Sequence, residues 1–290
     1  MKRLRLEPKK SHKILLYIAT LAVIFMCVFS LIKDHGYTDQ LGTYIAVVSL
    51  LFGIFLAFSI YNQHGRLALI NEMLKQHEGN LYSLYLQSAV FSVKTQDNIR
   101  ELIDTYLVAE LDYRLEDFNL TTPEFRAIYD YVLALNPKGE RQSVVFEIMI
   151  GSLAQSTQLR KQVETSVRQR MTKLEWFSIS ALLALLAYSM ALISEVSLTG
   201  VLIVFITVLT AIILMIVLWQ LDTLKWQAER WIWQPLHDLF LSMDLVPYYP
   251  GPVIAYGEVH LKKGEKIRIA RYLHKYPDIS NKTVQEITIT

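Results

Sequence analysis

One cysteine, Cys27, is the whole thiol content of the 290 residues. No disulfide can form within the chain and no paired-cysteine metal site is available, which fits a reducing compartment for the soluble parts. Catalytic signatures are missing too: there is no His-Glu-x-x-His, no phosphate loop and no Gly-x-Ser-x-Gly. The seven histidines, His12, His35, His64, His77, His237, His260 and His274, are scattered. His64 and His77 lie too far apart to share one helical turn, and solvated helix surface is the expected home of both. No residue speaks for an enzyme, and nothing points to a metal or a cofactor. The net charge is only +2, with no basic stripe interleaved with aromatics, so nucleic-acid binding is excluded as well.

What the chain does contain is concentrated apolar sequence. Hydrophobic residues make up 52% of it, and the mean hydropathy is +0.28. Four uninterrupted runs, 14–32, 43–60, 177–193 and 201–218, each approach the ~18–20 residues that a helix needs to cross a bilayer. These runs predict an integral membrane protein with four transmembrane helices. No Asp, Glu, Lys, Arg or His falls inside any of the four. Ion-coupled transporters and proton relays need such residues at depth, so their lack argues against a pump or secondary transporter. A channel stays open, because a pore can be gated by an apolar constriction and selected by helix ends.

Charge outside the runs sets a topology. The leader carries Lys2, Arg3, Arg5, Lys9, Lys10 and Lys13, while bulky Phe25 to Phe29 leave no small-residue cleavage site, so a retained anchor is expected rather than a signal peptide. The loops 33–42 and 194–200 are nearly free of Lys and Arg and are expected outside. The resulting order is a basic cytoplasmic N-terminus (1–13), a transmembrane hairpin (14–61), a helical cytoplasmic region (62–175), a second hairpin (176–221) and a Trp/Tyr-rich cytoplasmic tail (222–290). The expected membrane is the plasma (inner) membrane.

The cytoplasmic region reads as helices, with no strand alternation and no repeat. The second span should run on in water as an amphipathic helix to about Phe91. Asp97 is the expected N-cap of the next helix, whose apolar stripe is Ile99, Leu102, Ile103, Tyr106, Leu107 and Leu111. Thr121 and Glu124 fit a capping box, with Pro123 in the first turn. A further helix from Glu140 meets no turn signal before the third span, which predicts one long rod. Trp176, Trp219, Trp226, Trp231 and Trp233 suggest an interfacial belt, with an aromatic ligand cage as the alternative. Pro247 to Pro252 cannot sustain a helix. The stretch 253–269 has strand or extended character, and 277–290 reads as an irregular, flexible tail.

Two faces of the second span stand out. Ser49, Gly53 and Ala57 recur every four residues as a small-residue packing face. Val48, Phe52, Phe55 and Ser59 lie on the neighbouring face and are the pore-lining candidates, with lipid or core contact as the alternative.

The order of elements (two spans, a helical insert, two spans) resembles the bestrophin-like domain family, four-span membrane proteins named for their likeness to the bestrophin anion channels. The likeness covers about residues 14–222. It is carried by LLFGIFLAFS at 50–59, NEML at 71–74, IRELIDTYLVAELDYR at 99–114 and WQLD at 219–222. The chain departs where the family commonly follows that Leu-Asp with Pro and Gly; here Thr223, Leu224, Lys225 and Trp226 follow. The resemblance implies a homo-oligomer, pentameric if the kinship with bestrophins holds, with second spans around an axis conducting small anions. The competing expectation is a non-conducting scaffold or sensor that recruits a cytoplasmic partner through the Tyr248–Tyr249 proline segment.

Overall fold

The computed structural model describes residues 39–193, 198–224, 233–251, 254, 263–274, 276 and 278–289. The first predicted span, the basic leader, Cys27, Trp226 and Trp231 lie outside the described residues. The chain divides into two compact units, residues 1–64 with 171–223 and residues 65–170 with 224–290.

Three helical stretches among the described residues are long and apolar enough to cross a membrane, within Gly42–Ser88, Glu140–Met190 and Thr199–Asp222. The protein is an integral membrane protein, mostly helical. Helix α1 spans Asp39–Ser88, far more than the ~20 residues that the hydrocarbon holds. Its uncharged part is 43–60, and from Gly65 on it belongs to the second unit. In the first unit Val48, Phe52 and Leu56 of α1 pack with Ile179 and Leu186 of α5 (Lys173–Ile193) and with Ala211 and Leu218 of α6 (Leu198–Asp222). Most other apolar side chains here, such as Phe58, Phe177, Tyr188, Ile203 and Ile206, are exposed on the single chain. That is the pattern of helices solvated by lipid or by further copies.

The expected rod into the third span is broken. Helix α4 (Glu140–Arg168) ends before a non-helical stretch at 169–172, and α5 begins afresh. A capping box makes the new start: the Thr172 N–H donates to Glu175 Oε2 at 2.6 Å, and the Glu175 N–H donates to Thr172 Oγ1 at 3.2 Å. The second unit contains α2 (Val93–Asp112), a 3₁₀ turn (Leu115–Thr121), α3 (Thr122–Leu133), α4 and α7 (Trp233–Ser242). The α2 stripe is buried as expected, with Ile99, Ile103, Tyr106 and Leu107 fully enclosed. Its N-cap is Ser92, not Asp97: the Ser92 hydroxyl accepts from the Thr95 N–H at 3.0 Å. The capping box expected at Thr121 does not form. The Thr121 hydroxyl donates back to the Phe118 carbonyl at 2.8 Å, and the N-cap makes no side-chain bond to the helix.

The larger correction is the tail. Where irregular chain was expected around 247–252 and 277–290, and strand character only within 253–269, residues 248–288 hold a three-stranded sheet in the order β1 (Tyr248–Pro250), β2 (Lys266–Arg271), β3 (Thr283–Thr288), with β1–β2 parallel and β2–β3 antiparallel. Tyr248, Tyr249, Ile267 and Ala270 join the core of α1, α2, α3, α4 and α7. The Tyr248–Tyr249 rings that suggested a docking motif are therefore spent inside the fold. Gly251 allows this close approach: a Cβ there would lie 2.7 Å from the Ala270 carbonyl oxygen, a backbone atom with no side-chain freedom. Gly251→Ala should cost about 1–3 kcal/mol, read as a lower unfolding midpoint of the second unit. An unchanged midpoint would show that the β1–β2 pair yields freely.

Candidate functional site

Within the single chain, α1 divides the sequence-predicted face. Val48 and Phe52 are 4% and 6% exposed and turn into the chain's own helices, whereas Phe55 is 51% exposed and Ser59 half-buried. The small-residue set points the other way. Ser49 is half-buried, Gly53 and Ala57 are exposed, and a Cβ added at Gly53 would meet nothing within 4 Å. The exposed positions of α1 thus fall on two faces, Gly53 and Ala57 on one and Phe55 roughly 160° round the helix from Gly53.

Asp222, the last residue of α6, is buried and accepts two hydrogen bonds, from the Met171 N–H at 2.7 Å and from the Trp176 indole N–H at 3.2 Å. It ties the end of one span to the start of another. Trp176 is thereby a structural donor, while Trp219 is 43% exposed. His64 lies at the surface as expected, but His77 does not: it is 1% exposed, and its Nε2 meets the Tyr106 hydroxyl at 2.8 Å.

His77 belongs to a buried polar cluster in the second unit. Arg160 of α4 donates to the Tyr106 hydroxyl at 2.5 Å and to Thr121 Oγ1 at 3.0 Å. Its guanidinium also lies over the rings of Phe118 (4.5 Å), Phe125 (4.9 Å) and Tyr106 (5.2 Å). Glu78 of α1 and Glu110 of α2 share the same interior. Burial, then the Glu110 carboxyl, push Glu78 up to about 8, against a smaller pull from Lys75. Burial pushes Glu110 up to about 7, although Arg160 and the Tyr106 hydroxyl favour its ionised form. His77 is driven down to about 3 by burial and then by Arg160, so it is a neutral imidazole. Glu110 Oε2 and His77 Nδ1 are buried without a hydrogen-bond partner among the described residues.

The family model of the bestrophin-like domain matches residues 14–223. The chain belongs to the bestrophin-like domain family. No curated protein and no solved structure matches it. In this bestrophin-like protein the match ends where α6 ends, so α7 and the sheet lie beyond it.

Those later residues are fastened to the bestrophin-like domain by a row of carboxylates on α2 and the 3₁₀ turn. Asp112 accepts from the Tyr248 hydroxyl at 2.5 Å, from the Tyr272 hydroxyl at 2.6 Å and from the Lys282 ammonium. Asp104 takes Arg268 bidentately at 2.7 and 2.5 Å, and Asp117 accepts from the Tyr276 hydroxyl. Burial, then the bond to Asp112, push Tyr248 and Tyr272 well above the ordinary phenol value, so both stay hydroxyl donors. Two of these acceptors, Asp104 and Asp112, lie in the family-like string 99–114, which also supplies Tyr106 and Glu110 to the buried cluster. The string could be found as a helix; what its polar residues meet could not, because the partners lie on other elements, from 29 to 170 residues away.

Proposed function

We propose that this protein assembles as a homo-oligomeric membrane channel that passes small anions along an axis lined by the second span. Membership of the bestrophin-like family carries this proposal. The uncharged spans fit it, since the ion would be attracted by helix ends and backbone donors rather than buried charge. Two exposed faces of α1 fit it: Gly53 and Ala57 admit a close neighbour on one, and Phe55 on the other projects where an apolar neck would stand. Val48, Phe52 and Ser59 complete the proposed lining only if assembly turns this helix further than the single chain does.

Halide efflux from liposomes containing the purified protein, against empty liposomes, tests the proposal. Protein-dependent flux supports it, and no flux across pH, calcium and voltage counts against it. Within a conducting protein, Phe55→Ala should raise flux: a barrier lowered by about 1.4 kcal/mol is roughly a tenfold gain. Phe52→Ala should instead lower thermal stability, because that ring packs inside the chain. Unchanged flux in an intact Phe55→Ala assembly removes Phe55 from the pore.

A further inference from the structure

The buried cluster of the second unit sets two carboxyl groups against one cation. From α1 it receives His77 and Glu78, with Lys75 at the surface one turn earlier; from α2, Tyr106 and Glu110; from α4, Arg160. The 3₁₀ turn and α3 add Phe118, Thr121 and Phe125, none of which ionises. Glu78, Glu110 and Arg160 are 9%, 7% and 4% exposed. A carboxylate taken out of water costs several kcal/mol unless an opposite charge answers it, and one guanidinium answers one carboxylate. The other carboxyl is then stable only with its proton on. His77 cannot make up the deficit, since its neutral ring already spends Nε2 on Tyr106.

We propose that Glu78 and Glu110 form a proton-operated joint between α1 and α2, closed while the pair holds a proton and loosened when that proton is lost. In the loosened form two carboxylates face each other while Arg160 acts on Glu110 alone, and the turn of α1 around Glu78 gains by parting from α2. The direction with pH follows. Both carboxyls are raised above their ordinary value, so their contribution to stability is complete below about 4.5 and is lost as pH rises through about 7 and 8. His77 acts oppositely and on the acid side: its contribution is complete above 6.5 and is lost as pH falls toward about 3. From neutral pH upward the carboxyls alone set the trend. Because α1 is the helix that also contains 43–60, the joint acts on a span-bearing element, whether or not the protein conducts.

Hydrogen exchange on the full chain in lipid nanodiscs tests this without any flux measurement. Backbone protection over 70–81 and 103–111, corrected for intrinsic chemistry, is compared at about pH 6 and about pH 8.5. The wild type should lose protection at least ~10-fold at the higher pH. Glu78→Gln and Glu110→Gln, which cannot ionise, should each flatten that change, while Glu101→Gln, exposed on α2, should leave it intact. Equal pH dependence in wild type and both Gln variants, or none in the wild type, overturns the joint. Should the Gln variants fail to fold, infrared difference spectra of the wild type decide: loss of a protonated-carboxyl band between the two pH values upholds it, and no such loss overturns it.

Discussion

Arg160→Met should unfold the second unit at a markedly lower temperature than wild type. The side chain is 4% exposed, with two hydroxyl acceptors and three aromatic rings around its guanidinium. Met fills most of that volume, so a cavity is not the main cost. What goes is the buried cation of the cluster, which leaves the Tyr106 and Thr121 hydroxyls without their donor and removes the charge that favours an ionised Glu110. A buried hydroxyl left without its partner costs about 1–3 kcal/mol, so the two together amount to several °C for a unit of this size. The loss should be smaller at low pH, because without Arg160 the Glu110 carboxyl moves further up and a bound proton replaces the missing charge. Arg160→Lys should fall between the two, since a point ammonium cannot reach both hydroxyls and lie flat on the rings. Thermal unfolding followed by circular dichroism at two pH values checks this. A midpoint within a degree or two of wild type would show that the carboxyls do not depend on Arg160.

Asp112→Ala should release the C-terminal sheet while leaving the spans in place. The carboxylate gathers a buried hydroxyl, a half-buried one and an ammonium from three separate stretches of chain, at Tyr248, Tyr272 and Lys282. Hydrogen bonds to a charged group are worth about 1.5–3 kcal/mol each, and donors left buried and unanswered add to the cost. Their sum rivals the stability of an entire small domain. Limited proteolysis should therefore cut between 263 and 289 in the variant under conditions where wild type resists. Asp112→Asn should be milder, as its amide oxygen still accepts from the tyrosines but offers no charge to Lys282. Resistance equal to wild type in Asp112→Ala would place the hold elsewhere, with Arg268 and Asp104 the next pair to break.

How much of this was legible follows the reach of each signal. Long apolar runs announced the three spans among the described residues, and the 3.6-residue stripe on α2 announced its buried face, because both are written in consecutive residues. The break before α5 was also written locally, as Thr172-Lys173-Leu174-Glu175 ahead of an apolar run, but the steady apolar pattern of α4 hid it. Thr121-Thr122-Pro123-Glu124 carries the same kind of signature and misleads, since Arg160 and the Phe118 carbonyl claim the threonine hydroxyl. The sheet was legible only in β2, where Lys266-Ile267-Arg268-Ile269 alternates; every β3 residue is exposed and backbone pairing to β2 holds it. The buried cluster had no local signal at all. His77, Glu110 and Arg160 meet only through tertiary packing, and each alone looks like an ordinary surface residue of a charged helix.

The Asp112 and Asp104 attachments join residues 136 to 170 positions apart, and two membrane-crossing helices are translated between the partners. A ribosome exposes α2 long before Arg268 or Lys282 exists, so the acidic row and the socket for Tyr248 wait open while α5 and α6 are inserted. Closing such a distant contact is slow, and a half-finished socket is sticky. Biogenesis is thus ordered, with insertion first and sealing of the second unit after it. A chain cut short after α6 would be threaded into the bilayer yet unsealed, a form that quality-control proteases can recognise by its open core.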